Sequence, residues 1–133
     1  MPVVEDHPAA RRAELSAHDW SVRAPFPEVV GYLRDTLSPR LTAVVGGVRE
    51  TRATREWAEG ERAPSADVQS RLRVMAQIAR TIVMIHDDRT LQAWAQGMDP
   101  MLEDRSPLWV LLHATTEEDL RQVILAARRF VTT

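Results

Sequence analysis

Length, composition and charge limit this chain to one small folded unit or two very small ones. It has 133 residues, of which 44% are hydrophobic and 27% charged, an ordinary balance for a globular protein. The absence of cysteine excludes disulfides, thiolate metal sites and thiol nucleophiles. The formal net charge is −2, so the chain as a whole is not a general binder of polyanions.

The charge is distributed unevenly along the chain. Residues 40–73 contain seven arginines and five acidic residues, whereas residues 87–119 contain two arginines and eight acidic residues. This asymmetry indicates two working surfaces, one that tolerates phosphate and one that repels it. The chain has neither a secretory signal nor an apolar run long enough to span a bilayer, so we expect a cytoplasmic protein without a membrane partner.

The start of the chain is polar and interrupted by prolines. Residues 1–23 are therefore predicted to be a mostly disordered tail, with a marginal helix from Pro8 to Ala17. The first firm helix opens at Pro25–Pro27 and has apolar side chains along one face.

Two short helices come next. Ser38 followed by Pro39 is typical of a helix start, and Gly46–Gly47 is typical of a helix end because glycine readily adopts a positive φ. A second short helix is predicted from about Thr51 to Glu59, closed by Gly60. Short helix, glycine turn and short helix predict a helix-turn-helix DNA-binding domain over residues 24–65.

Four polar residues at the start of the second short helix are candidates for contact with DNA. Arg52 and Arg55 are three residues apart and share a face, as base- or phosphate-reading arginines would. Arg49 and Thr51, at the helix entrance, suit phosphate contacts. The alternative is that Arg52 and Arg55 only form i,i+4 ion pairs with the acidic residues that follow them.

The longest predicted helix starts at the capping residue Ser65 and becomes apolar nearly all round towards its end. A helix of that kind is buried on several sides. The simplest cover is the C-terminal helices plus a second copy of the chain, so we expect a homodimer. Capping residues Asp87, Ser106 and Thr116 predict three further helices, and no segment alternates as a strand does. The chain is thus predicted to be all-α with about seven helices, and residues 66–133 to hold the long connecting helix and a small helical domain.

Two segments resemble a known family. Residues 47–61, in which Trp57 is followed by Gly60–Glu61, resemble the helix-turn-helix of Xre-like antitoxins. Trp94 with residues 99–108, which run from Asp99–Pro100 to Arg105–Ser106–Pro107–Leu108, is similar to the signature of the Xre/MbcA/ParS-type toxin-binding domain.

The resemblance implies the antitoxin of a type II toxin–antitoxin system. Such a protein is all-helical and dimeric, occludes a RES-domain toxin that consumes NAD through its C-terminal domain, and binds the operator DNA of its own operon. Thr54 stands where the family usually has valine and Glu56 where arginine is frequent. Acidic side chains oppose phosphate binding. A stand-alone helix-turn-helix regulator, or an adaptor that no longer binds DNA, therefore remains an alternative.

Several aromatic and basic residues are candidates for contact with the toxin. Trp109 lies off the apolar face of its helix, so we expect an exposed interface residue or a shielded rim position. Residues Arg128, Arg129 and Phe130 are expected to form a toxin-contacting tail or a frayed helix end. Trp57 and Trp94 are expected in the core, and Arg105 in a local hydrogen bond of its loop.

No catalytic constellation is apparent. His86–Asp87 would need further histidines to bind a metal, and the chain has no glycine loop that could cradle phosphate. We expect no enzyme activity, no metal and no cofactor.

Overall fold

Eight α-helices and one short 3₁₀ helix make up the part of the chain that the computed structural model describes, residues 7–133. In chain order they are α1 Pro8–Arg23, α2 Phe26–Thr36, α3 Pro39–Gly46, α4 Thr51–Ala58, α5 Ala66–Ile85, α6 Asp88–Gln96, the 3₁₀ helix Pro100–Leu102, α7 Pro107–Leu112 and α8 Glu117–Thr132. The only β-pairing in these residues is an isolated bridge between Asp99 and Arg105. The prediction of an all-α protein is confirmed.

The helices begin where the sequence places capping side chains. The hydroxyl of Ser38 accepts a hydrogen bond from the Leu41 N–H at 3.0 Å. The carboxylate of Asp87 likewise accepts from the Thr90 N–H at 2.8 Å. Ser65, Ser106 and Thr116 cap α5, α7 and α8 in the same way. Each cap satisfies a backbone donor that the first turn of a helix leaves free.

Helix α5 lies at the centre of the fold. It packs against α1, α2, α3, α6, α7 and α8. Its side chains Leu72, Met75 and Ile82 have no exposed surface. One hydrophobic cluster extends around it from Ala10 in α1 to Val131 in α8. The expected division at residue 65 coincides with the start of α5, but both halves of the chain pack on this same helix.

The N-terminal segment is a structured part of this core. Small side chains on one face of α1 are buried: Ala10, Ala13, Ala17 and Ser21. Small side chains let two helices approach closely, and this face packs on α5. The guanidinium of Arg73 on α5 donates to the carbonyl oxygens of Ser21 and Ala24 at 2.8 and 2.9 Å.

The helix expected from Pro8 is present, but it is well packed and continues to Arg23, so the expectation of a mostly disordered tail is wrong for these residues. Residues 1–6 of that tail lie outside the described part of the chain. Alanine adds little to an apolar pattern, so the buried stripe was not recognised in the sequence. Helix α1 thus provides part of the cover of α5 for which a second copy of the chain was expected. Met84, near the C-terminal end of α5, remains 53% exposed.

Candidate functional site

The candidate DNA-contacting residues lie on α4 and on the turn before it. Helix α3 ends at Gly47, whose φ of 71° is in the left-handed region that favours glycine. The Gly47 N–H caps the end of α3 by donating to the carbonyl oxygens of Ala43 and Val44. After Val48, Arg49 and Glu50, the chain enters α4 at Thr51. The predicted order of short helix, glycine turn and short helix is thus present.

Helix α4 is held in place by its buried face. Trp57 is only 4% exposed, as predicted for a core residue. Thr54 is fully buried, and its hydroxyl donates to the carbonyl oxygen of Thr51 at 2.7 Å. The guanidinium Nη1 of Arg34 on α2 donates to the Thr54 hydroxyl at 2.6 Å and to the Thr51 carbonyl at 3.0 Å. Arg34 therefore ties the first turn of α4 to α2.

The role of Arg34 was not predicted from the sequence. Its partners lie 17 and 20 residues further along the chain. No periodic pattern relates positions so far apart on different helices. The one signal that pointed to a partner such as Arg34 was the polar side chain of Thr54, which the structure shows to be buried. A buried hydroxyl needs hydrogen-bond partners.

The four predicted DNA-contacting residues, Arg49, Thr51, Arg52 and Arg55, are all exposed. They lie on one short stretch that comprises the turn and the first turns of α4. Their charge is partly compensated by neighbouring carboxylates. Arg52 lies 3.9 Å from Glu56, and Arg55 lies 3.4 Å from Glu59. The i,i+4 pairs considered as the alternative are thus present, although exposed pairs of this kind contribute only about 0–1 kcal/mol.

Trp109 is an exposed aromatic side chain held between two neighbours. Trp109 is 42% exposed. The His113 ring stacks on it with a centroid distance of 4.1 Å, and the Arg105 guanidinium carbon lies 4.3 Å from its ring centroid. His113 Nδ1 is also within hydrogen-bond distance of the Trp109 carbonyl oxygen, at 2.9 Å. These contacts fix the orientation of the ring while its edge remains accessible.

The surroundings of Trp109 are apolar and acidic. A depression of about 330 Å³ beside it is lined by Met101, Leu102, Glu103, Arg105, Trp109, Val110, His113, Asp119 and Gln122. Met98, in the preceding loop, is 81% exposed. Arg105 contributes the backbone hydrogen bonds expected in this loop, since its N–H donates to the Leu102 carbonyl and its carbonyl accepts from the Asp99 N–H. Its guanidinium instead covers Trp109.

The C-terminal candidates are only partly available to a partner. Arg128 donates two hydrogen bonds to the carboxylate of Glu14 on α1, at 2.8 and 2.6 Å. The hydrogen bond to Glu14 raises the pKa of Arg128. Phe130 is half-buried, with its ring 5.4 Å from that of His86 and 6.0 Å from that of the buried Trp94. The end of α8 is thus anchored to the body of the protein, although Arg128 and Arg129 are both exposed.

Three further points concern metal binding, membrane-spanning helices and similarity to known proteins. Among residues 7–133, no group of three or more histidine and acidic side chains is placed to hold a metal ion. Within the same range, none of the helices combines the length and the hydropathy that a membrane span requires. No protein family, curated protein or solved structure matches the chain.

Proposed function

We propose that this chain is the antitoxin of a type II toxin–antitoxin system. It binds and occludes a RES-domain toxin as a cytoplasmic homodimer, and it represses its own operon through a helix-turn-helix formed by α3 and α4. The observation that carries the proposal is Trp109, a large aromatic side chain that is both 42% exposed and held between Arg105 and His113. Tryptophan and arginine are enriched among the residues that dominate binding energy. A side chain that is already ordered loses little entropy when a partner covers it.

The surroundings of Trp109 indicate the chemistry of the partner surface. The segment 87–119 contains eight acidic residues and two arginines. The exposed Met101 adds apolar surface to the depression beside the tryptophan. A complementary partner would therefore present an apolar pocket with a basic rim, because opposite potentials across an interface favour association and suppress other partners.

Co-purification with the product of the adjacent gene tests the partner. We expect the tagged protein to form a stable complex and to relieve growth inhibition by that product. Replacing Trp109 with alanine should weaken the complex by about 2 kcal/mol or more, the usual cost of truncating a central interface residue. Leu15→Ala is the control, because it truncates an exposed apolar side chain on α1, outside the surface proposed to bind the partner. No complex with the unaltered chain would contradict the proposal.

Operator binding is supported by the four exposed residues at the start of α4. The N-terminal residues of a recognition helix contact base edges in the major groove. Arg52 and Arg55 are the candidates for base or phosphate contacts, and Arg49 and Thr51 for phosphate. The fixed position of α4, which is tied to α2 through Arg34, suits such a role.

Fluorescence anisotropy with the DNA upstream of the gene tests this part. Arg52→Ala and Arg55→Ala should each weaken binding by about 1–3 kcal/mol at one fixed salt concentration. Arg89→Ala removes the same charge from the exposed surface of α6 and serves as the control. Equal losses in all three variants would show a general effect of charge and contradict a specific role for α4.

An adaptor that does not bind DNA is the second candidate function. It is favoured by the ion pairs on α4, in which Glu56 and Glu59 partly neutralise Arg52 and Arg55. For an adaptor, Arg52→Ala and Arg55→Ala would leave both the toxin complex and the amount of bound DNA unchanged.

A further inference from the structure

Glu56 on α4 interacts with two arginines at once. Its carboxylate lies 3.9 Å from Arg52 of the same helix and 3.2 Å from Arg62, beyond the end of that helix. The Glu56 side chain is 15% exposed, whereas those of Arg52 and Arg62 are 72% and 65% exposed. One shielded carboxylate thus forms ion pairs with two solvent-exposed guanidinium groups.

We propose that Glu56 is a specificity-determining residue that restrains phosphate binding by α4. This inference rests on the proposed binding of DNA through α4. Phosphate and the Glu56 carboxylate compete for the positive charges of Arg52 and Arg62, since a guanidinium pairs with either anion. A non-specific duplex offers only phosphates, so it must separate these pairs without gaining base contacts in return. A specific site adds base contacts that offset the separation.

The consequence is a lower affinity for non-specific DNA than Arg52 and Arg62 would otherwise provide. Two exposed ion pairs contribute about 0.4–2 kcal/mol together, so their removal should change the dissociation constant by roughly 2- to 30-fold. Each additional phosphate contact also steepens the logarithmic salt dependence by about 0.9.

The test uses a random-sequence duplex of about 20 base pairs and the full chain carrying Glu56→Gln. We expect binding to tighten by roughly 2- to 30-fold, with a salt slope steeper by about 1–2. Glu61→Gln is the matched control, because it removes the same charge from the exposed turn after α4. Its effect should be smaller than that of Glu56→Gln. Equal effects of the two variants would overturn the inference, since they would show that only the total charge matters.

A double variant separates pairing from any general change in α4. In an Arg52→Ala background, Glu56→Gln should tighten DNA binding by a smaller factor, because the ion pair between Glu56 and Arg52 is already absent. An undiminished gain there would overturn the inference. Thermal unfolding of each variant checks that α4 remains folded, and Glu56→Ala provides a second substitution should glutamine perturb the helix.

The outcomes for the unaltered chain distinguish the two proposals. Binding that depends on Arg52 but is insensitive to Glu56→Gln overturns the role of Glu56 and leaves DNA binding intact. Binding of the DNA upstream of the gene that appears only in Glu56→Gln supports the role of Glu56 and contradicts operator binding by the natural chain. Binding of neither the random duplex nor the upstream DNA, by either protein, overturns both.

Discussion

Gly31 and Gly46 lie in neighbouring helices but have opposite surroundings. A Cβ atom on Gly46 would lie 2.8 Å from Cζ3 of Trp57, too close for any real contact. Trp57 is only 4% exposed, so its ring cannot move aside without disturbing the core. A Cβ atom on Gly31, in the middle of α2, would meet no atom within 4 Å. Glycine is thus required at position 46 for the close approach of α3 to Trp57, whereas at position 31 it only lowers the intrinsic stability of α2.

The two glycines should respond to alanine with opposite signs. Gly46→Ala is expected to lower the free energy of unfolding by about 1–3 kcal/mol, the usual cost of overpacking a core. Gly31→Ala is expected to raise it by about 0.5–1 kcal/mol, because alanine loses less backbone entropy in a helix. Urea denaturation measures both. A stable Gly46→Ala variant would contradict the packing of Trp57 described above.

At the scale of elements, α8 has the most complete N-terminal cap. The Thr116 hydroxyl accepts a hydrogen bond from the Asp119 N–H at 3.1 Å. The Asp119 carboxylate in turn accepts from the backbone N–H groups of Thr115 and Thr116, at 2.9 and 3.2 Å. The hydrogen bond from the Thr115 backbone, followed by those from Thr116, lowers the pKa of Asp119. The charged form of this carboxylate therefore stabilises the folded state.

This shift predicts how the stability depends on pH. Because the pKa of Asp119 is lower in the folded than in the unfolded chain, its contribution is fully present above the unfolded value of about 3.9. It is lost as the pH falls through the folded value. Asp119→Asn should thus be less stable than the natural chain at pH 7, and the difference should shrink as the pH drops below about 4.

Glu117→Gln is the control for that titration. It removes a negative charge from the same first turn of α8, whereas the capping hydrogen bonds belong to Asp119 and Thr116. Chemical denaturation at pH values from about 2 to about 7 measures the free energy of unfolding of both variants. This range includes the ordinary pKa values of carboxylates. The same pH profile for both would show that the charge near the helix end, rather than the cap, accounts for the effect.

At the scale of the whole molecule, α1 provides part of the cover of α5. Ala13 is 2% exposed and Ala17 is fully buried against this helix. The segment is also connected by polar contacts, since His18 Nδ1 lies 2.9 Å from the Gln77 side-chain oxygen and Arg128 on α8 pairs with Glu14. The N-terminal helix therefore contributes to a single core with the C-terminal one.

A larger side chain at the contact between α1 and α5 tests this docking. Ala17→Leu should lower the free energy of unfolding by about 1–3 kcal/mol, because the space is already filled. Ser16→Leu places the same side chain on the exposed neighbouring position of α1 and should change stability by no more than about 0.5 kcal/mol. Circular dichroism during urea denaturation reports both. An equal response of the two variants would indicate that α1 is not docked.

Local chemistry made much of the fold predictable. Ser38, Asp87 and Thr116 cap the helices expected of them, and Gly47 and Gly60 adopt the positive φ that ends a helix. A cap depends on hydrogen bonds between residues two to four positions apart, so the sequence determines it directly. The same holds for the apolar stripes that placed Trp57 and Trp94 in the core. The candidate residues on α4 followed from the same local pattern of helix, glycine turn and helix.

Other features depend on residues that meet only after the helices pack. The pairs Arg34–Thr54, Arg73–Ser21 and Arg128–Glu14 join positions 20, 52 and 114 residues apart. Their formation depends on interhelical geometry, which the periodicity of a single helix does not contain. The docking of α1 was missed for the same reason. Small side chains stabilise a contact between helices through the close fit of the two surfaces rather than through their own hydrophobicity. By itself, the sequence determined the α-helices from α2 onwards, their ends and the exposed arginines of α4. The tertiary structure alone decided that α1 covers α5, that Arg128 and Phe130 contact intrachain partners, and that Trp109 is held between Arg105 and His113.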